Sequence, residues 1–441
     1  MLRRTFLQTA AVGAGWLTAA PERKPNLVLV VSDQWRGQEL PGDGSYLRAP
    51  ALRRLMEEGV SFSRAYTACP QSGPARAALL SGRFPHACGV PENNIQLPLD
   101  QPTLSLALQQ AGYKTAFIGK WELDGSGDPG FVPPGPRRRG FDYWAAYNRG
   151  DRYYQSRYFR DRPEPILAKG FEPDYQTDLA VDFIKQNREN AFFLFLSWGP
   201  PHPPRIPPDR VAGLYEPSKL NLRGNVPEEL TSRVQDEYAM YYAVCSALDE
   251  NLDRLLDALD RENLRDDTIV VFTSTSGSML GSQGLEDTGV AFEEALRIPL
   301  VLRYPRLGKA GIVREDLLVS IVDLAPTLLS LCGLALPGEM QGRNLAPGFA
   351  GQEAMFAEGK LRTAEEWRAV VRGLDKLVVN REMEATYLYN LGQDPLELEN
   401  LVPNLSRNGQ QRTKDELTAL LRKWMQLTQF RMDASGLKKR S

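Results

Sequence analysis

The stretch NLVLVVSD, residues 26–33, decides the fold class. Its apolar residues run without the polar alternation of a half-wetted strand, and the run stops at a serine and an aspartate. Such a run suits a strand buried on both faces, as in a parallel sheet covered by helices. Strand and helix patterns alternate outward from it. Residues 49–60 (APALRRLMEEGV) have helical spacing and end at Gly59, and residues 103–113 (TLSLALQQAGY) make a second helix. KTAFIGK (114–120), AFFLFLSW (191–198), TIVVFTS (268–274) and IPLVLRYP (298–305) read as further strands. Residues 237–263 form the clearest helix, and VDLAPTLLSLCG (322–333) another. The predicted fold is therefore α/β, a mostly parallel sheet between helices.

Composition changes at the turn-rich residues 336–354. Beyond them, residues 366–381 and 385–391 read as antiparallel hairpins and residues 414–428 as a closing helix. The expected division is a leader at 1–20, an α/β domain at 21–345, and a C-terminal subdomain at 346–441.

The chain has 441 residues, 42% hydrophobic and 24% charged, with a net charge of −2. That is ordinary for a globular protein and supplies no basic face for nucleic acid or an anionic membrane. Arg3-Arg4-Thr5-Phe6-Leu7 and the small-residue apolar run to Ala20 resemble a twin-arginine export signal, too short for a membrane span. The expected location is thus periplasmic or extracellular. Cys69, Cys88, Cys245 and Cys332 have no metal-like spacing; a Cys69–Cys88 bridge is open, and buried free thiols are the expectation.

In sheets of this kind, sites gather at the carboxyl ends of strands, where Asp33, Lys120 and Thr275 fall. SGPARAALLSGRFP, residues 72–85, sets Ser72 at the start of a helix with Pro74 in its first turn. Proline is tolerated there, and the exposed amides favour an anion. Ser72 reads either as a helix cap or as a nucleophile position.

These pieces, in this order, resemble the sulfatase family of the alkaline-phosphatase-like superfamily. KPNLVLVVSDQWR is similar to the family's opening metal-binding strand, and SGPARAALLSGRFPHACGV to its [C/S]-x-P-x-R signature. AGYKTAFIGKWELDG is similar to the segment carrying its anion-binding lysine, while RRGFDYW, GPPHPP, MQGRNL and ATYLYNLGQDPLELENL follow in order. The resemblance implies a sulfuric ester hydrolase acting on sulfated sugars or aryl sulfates. It implies formylglycine made from Ser72 by a serine-type maturation enzyme, and a calcium ion. By the same resemblance Arg76, Lys120 and His202 are catalytic or anion-binding, and Asp33 and Gln34 are metal ligands, Gln34 standing where many members have a second aspartate.

Other positions depart from the family pattern. Thr275 and Ser276 replace a metal-binding aspartate and its neighbour, Gln283 a later histidine, Thr288 a second lysine, and Glu122 the histidine after "GKW". Asp33 then supplies one carboxylate where the family generally supplies two or three, and a hard divalent ion so held should bind weakly or not at all. Glu122, Glu286 and Asp287 would have to turn inward to compensate, and register gives no reason for that. Two readings follow: a weakened sulfatase with rearranged ligands, or a non-catalytic protein binding a sulfated or phosphorylated ligand.

Overall fold

The computed structural model describes residues 23–42, 45–127, 130–286, 288–346, 353–405 and 409–429. The expected export signal and Asp287 lie outside the described residues. The α/β expectation is borne out by an eight-stranded sheet. Its members are β1 (Asn26–Asp33), β2 (Val60–Phe62), β3 (Lys114–Lys120), β4 (Tyr143–Tyr147), β5 (Phe192–Pro201), β6 (Thr268–Ser274), β7 (Leu300–Arg303) and β8 (Ile312–Arg314). They lie in the order β8-β2-β7-β6-β1-β5-β3-β4. Only β7 runs antiparallel to its neighbours β2 and β6; every other pairing is parallel.

The unbroken apolar run of β1 has its reason in this arrangement. Leu27, Leu29 and Val31 face one core, against helices α2 (Ser72–Ser81), α3 (Leu104–Gln110) and α6 (Leu324–Leu331). Val28 and Val30 face the other, against α1 (Pro50–Glu57), α4 (Glu172–Gln186) and α5 (Thr231–Arg261). With both faces covered, no position of β1 from Leu27 to Val31 has reason to be polar. Helix α1 has no cap from its own preceding residue, Ala49. Its first amides are met instead by the buried Asp249 of α5, which accepts from Ala51 N at 2.9 Å and Leu52 N at 2.7 Å.

After residue 353 come four antiparallel strands in sequence order: β9 (Ala354–Gly359), β10 (Trp367–Arg372), β11 (Asp375–Asn380) and β12 (Ala385–Asn390), with α7 (Gln410–Leu427). The sequence reading placed three of these strands and the closing helix; β9 lay hidden at the end of the turn-rich stretch. Val370, Leu377, Leu417 and Leu421 join the core of α2 and α3. His86 ties this part to the rest, its Nδ1 2.8 Å from Glu358 Oε2 and its Nε2 3.0 Å from Thr428 Oγ1. All four cysteines are free and buried, so the open Cys69–Cys88 bridge is absent.

Candidate active site

The carboxyl ends of β1, β3, β5 and β6 meet at one place. Asp33 ends β1 and is fully buried. Thr275, one residue past β6, donates its backbone amide to Ser32 O at 2.9 Å and its hydroxyl to Asp33 Oδ1 at 2.8 Å. Lys120 ends β3. Gly119 before it has φ +113°, and a Cβ there would stand 2.0 Å from Ser197 O. Only glycine lets β3 approach β5 closely enough to deliver Lys120. Gly277 answers a similar demand, since its Cβ would meet Glu294 O at 1.9 Å.

Arg76 reaches the same place from the second turn of α2. Its Nη2 lies 2.9 Å from Asp33 Oδ1 and its Nη1 2.8 Å from Glu122 Oε2. Its Nε and Nη2 donate to Ser197 Oγ at 3.2 and 3.0 Å, and Ser197 Oγ donates to Lys120 O at 2.7 Å. The Lys120 ammonium sits 3.3 Å from Asp33 Oδ2, 3.1 Å from Glu122 Oε1 and 3.1 Å from Asp151 Oδ1.

The carboxylates and cations tune one another. Burial alone would raise the Asp33 carboxyl, but Arg76 and Lys120, aided by His202 and the Thr275 hydroxyl, hold it below its usual range. Burial would likewise discharge Lys120. Glu122 and Asp33 outweigh it and push the ammonium's pKa well up. Asp33 and Glu122 do the same for Arg76 against the same burial penalty. Asp33 is therefore held ionised against charged Lys120 and Arg76.

Two expectations are corrected here. The single carboxylate becomes three: Asp33, Glu122 and Asp151. Glu122 turns inward although register gave no reason, because its backbone is left-handed at φ +60° while its amide remains held by Asn148 O at 2.8 Å. Glu286 does not turn inward; it is exposed and pairs with Arg233 at 2.6 Å. Gln283 donates to Leu396 O at 2.8 Å and Glu397 O at 3.1 Å, and so serves the C-terminal part. Thr288 has no hydrogen bond to the cluster among the described residues.

Ser72 is the first residue of α2 and half-buried; Gln71 holds the cap position, which corrects the capping alternative. The Ser72 hydroxyl has no hydrogen-bond partner among the described residues. Its neighbour Gly73 donates to Asn93 Oδ1 at 2.9 Å, and a Cβ on Gly73 would lie 3.6 Å from Glu122 O, so the helix start abuts the cluster. His202 joins through Asp151, with Nδ1 3.7 Å from Asp151 Oδ1 and 3.4 Å from Tyr153 Oη. Gln34 takes a left-handed φ of +67°. Its Oε1 lies 3.4 Å from Arg205 Nη2. Ser276 is buried, and its hydroxyl turns to Gly277 O at 3.1 Å.

Sequence reasoning missed Asp151, Ser197, Ser278 and Arg205. For Arg205 a signal existed: a cation among prolines in PHPPRIPP, directly after a strand's carboxyl end. For Asp151 and the serines there was none.

The sulfatase family model matches residues 25–334, and that of the N-sulphoglucosamine sulphohydrolase C-terminal region matches residues 281–426. The chain belongs to the sulfatase family. An ulvan-active sulfatase of Formosa agariphila is 33% identical over 331 residues, 73% of this chain and 64% of that relative, so the match spans just under two thirds of it. An N-acetylglucosamine-6-O-sulfatase of Bacteroides thetaiotaomicron is 29% identical, covering 78% of this chain and 73% of that one. The crystal structure of yidJ from Bacteroides fragilis, named for the same family, superposes with a TM-score of 0.86 at 26% identity, covering 95% of this chain and 99% of that one. The α/β sulfatase architecture with its small antiparallel C-terminal sheet is thereby established.

Proposed function

We propose that this sulfatase-family chain takes sulfated sugars at the Asp33–Arg76–Lys120 site, and that metal-dependent hydrolysis there is lost. The supporting observation is how Asp33 is spent. Its Oδ1 accepts from Arg76 and Thr275 and its Oδ2 faces Lys120. The family generally uses calcium and a formylglycine. Calcium takes six to eight oxygen ligands, mostly carboxylate and carbonyl. Here Thr275 and Ser276 bring hydroxyls, the amide oxygen of Gln34 faces a guanidinium, and each carboxylate faces a cation. Among the described residues no group of three or more His, Cys, Asp or Glu is arranged to hold a metal. The residues present do not fit the ion.

Ser72, at the start of α2, is in this reading the remnant of the nucleophile position. The sulfated-sugar class rests on the relative named for N-acetylglucosamine-6-O-sulfate chemistry. Export by the twin-arginine route and a division into residues 21–345 and 346–441 complete the proposal; the antiparallel sheet lies wholly in the second part.

The test is hydrolysis of glucosamine 6-sulfate and an aryl sulfate by wild type and Ser72→Ala, each co-expressed with a serine-type maturation enzyme, in calcium and in chelator. No calcium-dependent turnover is expected. Turnover by wild type that Ser72→Ala abolishes would overturn the reading and make Glu122 part of a rearranged metal site.

A further inference from the structure

Arg76 and Lys120 are neutralised where they stand. Arg76 lies between Asp33 and Glu122; Lys120 faces Asp33, Glu122 and Asp151. An incoming anion would have to compete with those carboxylates for both cations. Arg205 is in a different position. It comes from the loop after β5, and its side chain is 12% exposed. Its Nε donates to Pro201 O at 3.1 Å, and its Nη2 to Ser278 Oγ at 3.2 Å and Gln34 Oε1 at 3.4 Å. All three acceptors are uncharged. Among the described residues one carboxylate comes within 4.0 Å, Glu237 at 3.9 Å, too far to accept a hydrogen bond. Nη1 has no acceptor among the described residues.

The guanidinium is also held in place before any ligand arrives. It lies over the Tyr241 ring, 5.7 Å from the centroid. Tyr241 is itself fastened, its hydroxyl donating to Gln34 O at 3.1 Å and accepting from Arg36 N at 2.9 Å. Arg36 in turn holds the carbonyls of Ser278 and Met279. Ser278 Oγ, wholly buried, accepts from Arg205 and anchors the guanidinium from the inner side. A planar fork anchored on its inner side, with a free prong on the other, is suited to the oxygens of a tetrahedral anion.

We infer that Arg205, held in place by Ser278, is the residue that grips the sulfate group of the sugar ligand. The assignment rests on the proposed reading that the site takes a sulfated sugar without a metal. It places the recognising charge beside Gln34, supplied by a fixed side chain.

Isothermal titration in excess chelator tests it, using the full chain with glucosamine 6-sulfate, inorganic sulfate and neutral glucosamine as probes. Wild type should bind the sulfated sugar and, more weakly, inorganic sulfate, but not glucosamine. Arg205→Gln should weaken sulfated-sugar binding about ten-fold or more, as expected for a lost charge-assisted contact. Arg205→Lys should recover part of it, and Ser278→Ala should lose severalfold. Circular dichroism and melting of each variant establish that it is folded. Arg205→Gln binding at wild-type strength overturns the Arg205 assignment and leaves the site reading standing. Absence of sulfated-sugar binding by wild type overturns both, and equal binding of glucosamine overturns recognition through the sulfate. If Arg205→Gln does not fold, Arg205→Lys and Ser278→Ala decide: wild-type affinity in both refutes the assignment.

Discussion

Replacing Asp33 by Asn removes one charge from a buried cluster while keeping nearly the same shape. Asp33 Oδ1 is 2.9 Å from Arg76 and Oδ2 is 3.3 Å from Lys120. At an effective dielectric constant of about 20, each such pair attracts by about 5–6 kcal/mol. Much of this offsets the cost of holding a carboxylate away from water, several kcal/mol that the amide does not incur. Glu122 also continues to face both cations and Asp151 to face Lys120. The net loss should therefore sit at the lower end for a broken buried pair, about 3 kcal/mol. With an unfolding entropy of about 2.1 cal/mol/K per residue, a chain of this size should melt about 3 °C lower. The assay is calorimetric melting of wild type and Asp33→Asn in chelator and in millimolar calcium. The expected result is the same deficit in both, because Asp33 is held by side chains. A wild-type melting temperature that climbs many degrees with calcium, with the gain absent from Asp33→Asn, would refute the reasoning.

The same pair of proteins should show a defined pH dependence. Asp33 is held below its ordinary pKa of 3.8, so its contribution is present above that pH and lost as pH falls through the depressed value. The melting difference should hold between about pH 5 and 8 and close in stronger acid; a difference that instead grows in acid would contradict it. Gly119→Ala should cost about 3 kcal/mol or more, since its Cβ would stand 2.0 Å from Ser197 O at a φ of +113°. Wild-type melting for this variant would contradict the close approach of β3 to β5. Burial pushes the Cys88 thiol up to about 12 and the Cys69 and Cys245 thiols well above their usual range. A thiol-titrating reagent at neutral pH should label them only after denaturation, and rapid labelling of the native protein would show the packing to be wrong. Replacing both Arg3 and Arg4 by Lys should leave precursor inside the cell, and undiminished export of that variant would exclude the twin-arginine route.

Much of the fold was legible because burial leaves a periodicity. β1, β5 and β6 are covered on both faces, and an unbroken apolar run is the direct consequence of that position. Glycine, proline and helical spacing marked α1, α2 and α3 for equally local reasons. β9 escaped because its six residues follow a turn-rich stretch, and its partner β10 comes only later in the chain. The places of Asp33, Lys120 and Thr275 were also legible, since a residue that ends a parallel strand points to the same edge as its neighbours' ends.

The electrostatic balance was decided elsewhere. A left-handed φ at Glu122 aimed a carboxylate inward against the register, and a loop carried Asp151 to Lys120 from outside any motif. The long reach from 205 to 34 and 278 set a guanidinium beside a candidate metal ligand. Sequence order supplies the identity and local spacing of these groups, and from them ancestry and architecture follow. Which charge meets which depends on separations of a few ångströms between residues far apart in the chain. Coulomb energy and desolvation change over that same scale, so the pairing of Asp33 with Arg76 and Lys120 was set by the tertiary structure alone.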